Sequence, residues 1–412
     1  MQQRVETIII GAGHAGLAVS HLLTRAARDH FILDRGRAAN SWRDTRWDSF
    51  HLVIPNRYWC MPGMVYDGAQ PDGFMAREDV VARFERYLAE AKPPLLENTP
   101  VVRVSLEGPR QFLVQTDQAG IRSRNVVVAT GPFQVPSMPS WCRELDPGIV
   151  QLHSQRYRNP DQLPPGATLV AGSGQSGVQI AEDLLRAGRR VYLCIGSRGW
   201  LPRRYLGKDI TTWYVEMGLF DTTIDEFPSL AAARASGFAQ LAGDAALGHD
   251  LNVHTLAKAG AVLLGRAVHG AGNELQVADL EANLDAADGF AAKAKQLIDQ
   301  HIRKEREKGG EPCAGIDPWP LYQRTKDSVR EKIDLRREGI ASIVWAGGYR
   351  PDLGFLDVPV LDEMGFPLHR KGITRVPGLY FIGLEWLHRR KSSTLMAGEE
   401  DAGRIVAAIA GA

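Results

Sequence analysis

The sequence is poor in the features that announce several common protein classes. It has no apolar run approaching the roughly 20 residues that a membrane-spanning helix needs. It has four cysteines among 412 residues, Cys60, Cys142, Cys194 and Cys313. They lie far apart and form no C-x-x-C pair, which argues against a disulfide framework, a metal cluster and a redox-active dithiol. Charge of one sign is also missing. With 49 basic and 48 acidic residues the formal net charge is +1, so nothing general points to nucleic acid or an anionic membrane as partner. An apolar strand begins almost at Met1, leaving no room for a signal peptide. A soluble protein of the reducing cytoplasm is expected, long enough for two or three domains.

What the sequence does have is glycine in a repeated arrangement. "TIIIGAGHAGLAVSHLL" (7–23) and "TLVAGSGQSGVQIAEDL" (168–184) each read as a buried strand, a Gly-rich turn and an apolar-periodic helix. A second strand follows each helix, "FILD" (31–34) in the first case and "VYLCI" (191–195) in the second. This is the βαβ unit written twice. Gly11, Gly13 and Gly16 form G-x-G-x-x-G. The first glycine permits the tight turn, the second lets backbone N–H groups approach a diphosphate, and the third allows close helix–strand packing. Asp34 ends the second strand, where an acid accepts hydrogen bonds from a ribose 2′-hydroxyl. Gly172, Gly174 and Gly177, with Gln175 and Ser176 between them, repeat the pattern. A gapless overlay puts Ile195 where the first unit has Asp34, with Ser197, Arg198, Arg203 and Arg204 close behind. A hydroxyl and guanidinium there suit a 2′-phosphate, which a carboxylate would repel. Arg198 also has the plain reading of a solvated surface arginine. The expected ligands are FAD in the first unit and NADPH in the second, the pairing of a chain that passes a hydride from nicotinamide to flavin.

Elsewhere, residues 101–117 read as a hairpin and "NVVVAT" (125–130) as a buried strand ending at Gly131. The Pro-rich "GPFQVPSMPSW" suits a connection between domains. Residues 280–309 predict one long helix ended by Gly309 and Gly310. "SIVWAGGY" (342–349) and "GLYFIGL" (378–384, containing Gly383) predict late strands, with a terminal helix from about Thr394. The fold class expected is α/β, with two Rossmann-like domains and the NADPH domain inserted into the FAD domain. The limits expected are 1–155 and 336–412 for the FAD-binding domain and 156–335 for the NADPH-binding domain with a helical insertion.

Several of these stretches, in this order, resemble the class B flavoprotein monooxygenases. They are "GAGHAGLA", "SWRDTRWDSFHLVIPN", "VVVATGPFQVPSMPS", "VQLHSQRYRNP", "GSGQSG", "PRRY", "WAGGYRPD" and "GLYFIGL". The resemblance is to the bacterial flavin-containing monooxygenase-like oxidoreductases and the related plant YUCCA enzymes, and covers essentially the whole chain. In that family a linker motif F-x-G-x-x-x-H-x-x-x-[YF]-[KR] couples the domains. "HSQRYR" supplies His153, Tyr157 and Arg158, whereas Gly148 stands one residue too far from His153 and no Phe precedes it in register. The resemblance implies a role for His153 in cofactor handling, beside the plainer one of a histidine packed at a domain junction. It also implies FAD contacts from Arg43 and Asp48, walls from Trp42 and Trp47 (equally readable as core packing), and Asn56 beside the oxygen-reactive flavin face. Leu384 stands where many flavoprotein reductases carry an Asp.

The activity implied is reduction of FAD by NADPH, formation of a flavin C4a-(hydro)peroxide with dioxygen, and oxygenation of a small organic substrate, first of all at nitrogen or sulfur. Baeyer–Villiger oxygenation of a ketone, an NADPH-dependent flavin oxidase or reductase, and a non-enzymatic flavin redox sensor stand as alternatives. Trp213, Tyr214, His249 and His254 are candidates to line the substrate site, and a homodimer is the oligomer that relatives suggest.

Overall fold

The protein is described here from a computed structural model, which covers residues 3–235, 239–241, 248–309, 317–322 and 329–411. Cys313 and Gly310 lie outside the described residues. Strand Gln3–Ile10 runs parallel to His30–Leu33 on one side and to Gly120–Val128 on the other, with Ile8 opposite both Phe31 and Val126. Its Ile8 and Ile9 are fully buried, as expected of a central parallel strand covered on both faces. The expected hairpin is present as antiparallel Val101–Gly108 and Gln111–Thr116, and leads into the longer strand Gly120–Val128. Near the other end of the chain, Leu379–Phe381 pairs in parallel with Gly120–Val128, Tyr380 opposite Val127. The C-terminal segment therefore completes the first sheet.

A second sheet is parallel throughout. Its order is Val150–His153, Ile340–Trp345, Ala167–Ala171, Val191–Cys194 and Val262–Leu264. Two of these strands come from outside the span 156–335. Val150–His153 and Ile340–Trp345 fall on the outer sides of 155/156 and 335/336, yet Gln151 and Leu169 both pair with Ile343 in the second sheet. These strands are far apart in sequence, so local patterning, which marks the strand near 342–349, gives no sign of which sheet it joins. Between the sheets the two connecting segments cross as an antiparallel pair, Val135–Pro136 with Tyr349–Arg350. The Pro-rich connection thus runs where the sequence suggested.

Helix His14–Arg25 covers the first sheet with Ala15, Leu17, Ala18, Val19 and Leu23 buried, and packs against the terminal helix Glu400–Ala410. That terminal helix starts at Glu400 and not near Thr394. Residues Arg390–Ser393 form a tight 3-10 turn instead. Ser392 Oγ accepts from the His388 and Arg389 amides, and Thr394 Oγ1 donates to the Lys391 carbonyl at 2.8 Å. Such hydroxyls offer the backbone local partners that compete with the helix.

The predicted long helix spans Leu280–Glu307, with Gly309 beyond it at φ +88°. Its buried stripe of Ala294, Ile298 and Ile302 joins Leu201, Tyr205, Ile210 and Trp213 in one apolar cluster. Strands Arg266–Ala271, Glu274–Ala278 and Lys332–Asp334 make a small antiparallel sheet beside the second parallel one. No helix among the described residues is long and apolar enough to cross a membrane.

Candidate functional site

Two loops at the strand ends have the same backbone construction. In the first, Gly11 takes φ +110° and a Cβ there would lie 2.6 Å from the Ala129 carbonyl oxygen. A Cβ on Gly16 would meet the Gly11 oxygen at 1.9 Å. In the second loop Gly172 takes φ +122°, its Cβ would lie 2.6 Å from the Ala346 oxygen, and a Cβ on Gly177 would meet the Gly172 oxygen at 1.8 Å. These four positions are therefore glycine for packing. The middle glycines differ: Gly13 and Gly174 have nothing within 4 Å of a Cβ position. Each is the N-cap of its helix without a side-chain cap. The open space lies over unsatisfied N–H groups at the positive end of a helix dipole, which is an anion cradle. Both cradles fit the diphosphate of a dinucleotide.

The strand ends set the cradles apart. Asp34 accepts from the Ala12 amide at 2.6 Å through Oδ2 and from the Gly36 amide at 2.9 Å through Oδ1. Burial pushes its carboxyl above the usual range, while those two bonds pull it back. The corresponding Ile195 is buried, and the chain surfaces after it at Ser197 and Arg198. Arg198 makes no ion pair among the described residues.

Both cradles open into one cavity of about 1070 Å³. Gly13, Asp34, Gly131 and Gly383 line it on the first side, and Gly174, Gln175, Ser176 and Arg198 on the second. Gly131 and Gly383 take φ +75° and +76°, so the backbone turns beside the cavity without a side chain. Gln175 is clasped to Leu241, whose amide donates to Gln175 Oε1 at 3.0 Å while Nε2 donates to its carbonyl. Trp42 and Trp47 are both walls of the cavity, and Trp47 is also part of the core.

Other expected site residues are used differently. Arg43 does not line the cavity: it donates to the Ala38 carbonyl and pairs with Glu85 at 2.8 Å. Asp48 is a latch between segments, bonded to Arg77 at 2.9 Å and Asn159 at 2.7 Å. Asn56 is buried and spent on structure, accepting from the Met75 amide at 2.7 Å and donating to the Gln70 carbonyl at 3.0 Å. Arg203 is 2% exposed, pairs with Asp209 at 2.7 Å and is not part of the cavity wall. Gly172, Gly177 and Ser197 shape the second cradle without being part of the cavity wall.

His153 stands behind the wall. Its Nε2 donates to the Gly348 carbonyl at 3.0 Å and its Nδ1 accepts from the Gln155 amide. The ring is therefore neutral, and burial lowers its pKa below the usual value. It packs edge-on to Tyr349 at 4.9 Å, and Tyr349 lines the cavity. His153 thus positions the connection between the sheets and touches neither cradle. Of the four substrate-site candidates only Tyr214 faces the cavity. Trp213 donates to the Tyr205 carbonyl, His249 pairs with Glu182, and His254 pairs with Asp288.

One residue that sequence reasoning passed over is Arg46. It lines the cavity with its guanidinium over Trp42 at 5.3 Å and Phe50 at 5.7 Å, and has no carboxylate partner among the described residues. Burial lowers its pKa, so an anionic ligand group is its natural counter-ion. The available signal was its place in the same "SWRDTRW" stretch that drew attention to Arg43. His14, at the first turn of the first helix, also lines the cavity. Burial pushes it down to about 4, keeping the ring neutral.

Comparison with known proteins places this arrangement. Residues 8–221 match the family model described as pyridine nucleotide-disulphide oxidoreductase. An oxidoreductase of Bacillus subtilis, CzcO, is 30% identical over 403 residues, covering 97% of this chain and 98% of that one. The indole-3-pyruvate monooxygenase YUCCA1 of Oryza sativa is 27% identical over 232 residues, 53% of this chain and 55% of its own length. Among solved structures, the flavin-containing monooxygenase of Stenotrophomonas maltophilia superposes with a TM-score of 0.65 at 19% identity, over 100% of this chain and 99% of that one. Among the described residues Cys60, Cys142 and Cys194 are all free. The protein is an oxidoreductase built to hold FAD and a nicotinamide nucleotide. It belongs to the pyridine nucleotide-disulphide oxidoreductase family, in the branch of the class B flavoprotein monooxygenases.

Proposed function

We propose that the protein is an NADPH-dependent monooxygenase that transfers one atom of dioxygen to nitrogen or sulfur of a small organic substrate. The observation that carries this reading is the single cavity joining both cradles, because hydride transfer needs the two dinucleotides to meet in one space. In this reading the first sheet with its C-terminal strand is the FAD-binding unit, and the second sheet is the NADPH-binding unit.

Gly11, Gly13 and Gly16 hold the FAD diphosphate, Asp34 accepts from its ribose, and Gly131 and Gly383 let the backbone lie against it. Gly172, Gly174, Gly177, Gln175 and Ser176 hold the NADPH diphosphate, with Ser197 and Arg198 at the 2′-phosphate. Bound FAD supplies the two-electron store and the reaction with dioxygen, one oxygen atom going to the substrate and the other leaving as water. The chain's own task is to orient both nucleotides and keep water out. The apolar walls Leu52, Ile54, Leu387 and Leu395 serve the second purpose. His153 and Asn56 are positioning residues here and move no proton.

Anaerobic reduction by NADPH, followed by mixing with oxygenated buffer, tests this reading. A monooxygenase returns to oxidised flavin in two phases with a delayed second one. A single rapid phase with stoichiometric peroxide, whether or not substrate is present, would favour the oxidase or reductase instead.

A further inference from the structure

The segment from Ala39 to Ser49 crosses from one cradle to the other. At its start the Ala39 amide donates to the Ala12 carbonyl at 3.1 Å, inside the first Gly-rich turn. At its end Ser49 Oγ donates to Asp183 Oδ1 at 2.8 Å, on the helix Gln175–Arg186 that opens the second cradle. Between these ends the Asp48 amide donates to the Arg158 carbonyl at 2.8 Å, and the Arg158 guanidinium donates to the Asp44 carbonyl. Ser176, Gln179 and Asp183 follow at helical spacing, so they share the helix face on which the crossing ends.

Arg46 stands on this crossing, nearer the Ser49 end, and lines the common cavity. Its Nη1 donates to the Thr45 carbonyl at 3.2 Å and to Thr45 Oγ1 at 3.1 Å. Both partners are neutral, so the guanidinium charge stays uncompensated. The neighbouring carboxylates are committed elsewhere. Asp48 is bonded to Arg77 and Asn159, and Asp183 to Ser49 and the Tyr157 hydroxyl. The cavity's own carboxylates are Asp34, Asp225, Asp352 and Glu385, and none of them pairs with Arg46 among the described residues. On the helix side Gln179 lines the same cavity at 8% exposure, and its Oε1 has no hydrogen-bond partner.

A cation and an acceptor are thus both left unmet where the crossing meets the helix. Such a place is costly unless a ligand brings an anion and a donor. A ribosyl phosphate brings both. The planar guanidinium, fixed over Trp42 and Phe50, matches phosphate oxygens two at a time.

We infer that Arg46 closes on the nicotinamide nucleotide from the flavin side and holds its diphosphate against the second cradle. This rests on the reading above that the second cradle takes that nucleotide. Because Ser197 and Arg198 are assigned there to the 2′-phosphate, the Arg46 contact is blind to that group and serves NADP⁺ and NAD⁺ alike. The same contact couples nucleotide binding to the docking of the crossing segment.

The test uses FAD-loaded, oxidised protein, so that binding is read without hydride transfer. NADP⁺ is titrated by calorimetry, and NAD⁺ by displacement of NADP⁺. Arg46→Met is expected to weaken both about tenfold, by factors that agree within about twofold, and Arg46→Lys to recover part of the loss. Hydrogen exchange gives a second readout. NADP⁺ is expected to slow exchange across residues 42–50 in the wild type and not in Arg46→Met, with the two proteins alike when no nucleotide is present. A purely structural role would instead loosen this segment in both states. FAD content and melting temperature exclude a folding failure.

Unchanged NADP⁺ affinity in Arg46→Met would overturn the inference. So would a loss confined to NADP⁺, which would put Arg46 at the 2′-phosphate. If the substitution releases flavin and the reloaded variant binds NADP⁺ as the wild type does, Arg46 serves the flavin and the inference fails. Absence of NADP⁺ binding by the wild type is a separate result, which would sink the reading of the second cradle itself.

Discussion

The two cradles have nearly the same backbone and different chemistry at their open ends. In both, the first glycine's amide bonds to the end of the neighbouring strand, Gly11 to Leu33 at 2.8 Å and Gly172 to Cys194 at 3.0 Å. In both, the next strand closes beneath the turn, the Ala129 amide to Ile10 at 2.8 Å and the Ala346 amide to Ala171 at 2.9 Å. Sterics dictate this much, and any sequence solving the same packing problem converges on it. The residues outside the packing differ: Asp34 in one, Arg198 with Ser197 in the other, and His14 against Gln175 at the helix start; in the function proposed above they choose the ligand. The comparison separates a shared backbone device from a small set of differing positions, to which the proposed function gives the choice between dinucleotides.

The harshest way to break the symmetry is to fill one cradle at a time. Gly16→Ala and Gly177→Ala each drive a methyl into a backbone oxygen, at 1.9 Å and 1.8 Å, a strain of about 3 kcal/mol or more. Gly16→Ala is expected to yield protein without bound flavin. Gly177→Ala is expected to stay yellow and lose about 100-fold in its rate of reduction by NADPH. Absorbance after purification and anaerobic stopped flow read the two outcomes. Equal loss of flavin in both variants would mean that the cradles are not separable.

A gentler change is expected to trade the nucleotide without disturbing the fold. Arg198→Ala removes the charged partner of a 2′-phosphate and should lower the NADPH-over-NADH preference by about tenfold or more. Steady-state flavin reduction with each nucleotide measures it. A preference that does not move returns Arg198 to the solvated surface.

Asp34→Asn keeps the shape and reduces the carboxylate to an amide. It is expected to weaken FAD binding by about 1–2 kcal/mol, through poorer acceptance from Ala12, Gly36 and the ribose. Fluorescence titration of the apoprotein reads the change, which should leave NADPH affinity alone.

The smallest effect concerns pH. His14 is pushed down to about 4 by burial, so the unfolded chain takes up a proton there before the folded one does. The stability this neutral ring contributes is fully present above the unfolded value near 6.5 and is lost as pH falls from there toward 4. His14→Gln, which copies the second cradle, should flatten the fall of melting temperature across that window. An unchanged slope would assign the acid sensitivity to the other buried histidines.

The architecture was legible in the sequence where packing constraints leave local marks. Two strand–glycine–helix patterns, the hairpin, the long helix and the late strand at Leu379–Phe381 all stand where the pattern put them. The order of the second sheet was not legible, because the strand expected near 342–349 and the unexpected edge strand Val150–His153 acquire their partners only in three dimensions.

The site divides in the same way. The glycines and Asp34 are visible because a turn and a strand end fix them. Arg43, Asn56 and Arg203 carry the right chemistry for a site, and each is consumed by a local partner that the sequence does not reveal: Glu85, the Met75 amide and Asp209 respectively. Arg46 and Arg43 stand in the same short helix-and-turn region, and which of them reaches the cavity depends on how that turn packs on Trp42 and Phe50.

The most direct measurement mixes the FAD-loaded wild-type protein anaerobically with NADPH and, in parallel, NADH. The account predicts that NADPH bleaches the flavin, about tenfold or more faster than NADH at the same concentration. Bleaching by neither nucleotide, or equal bleaching by both, would contradict it.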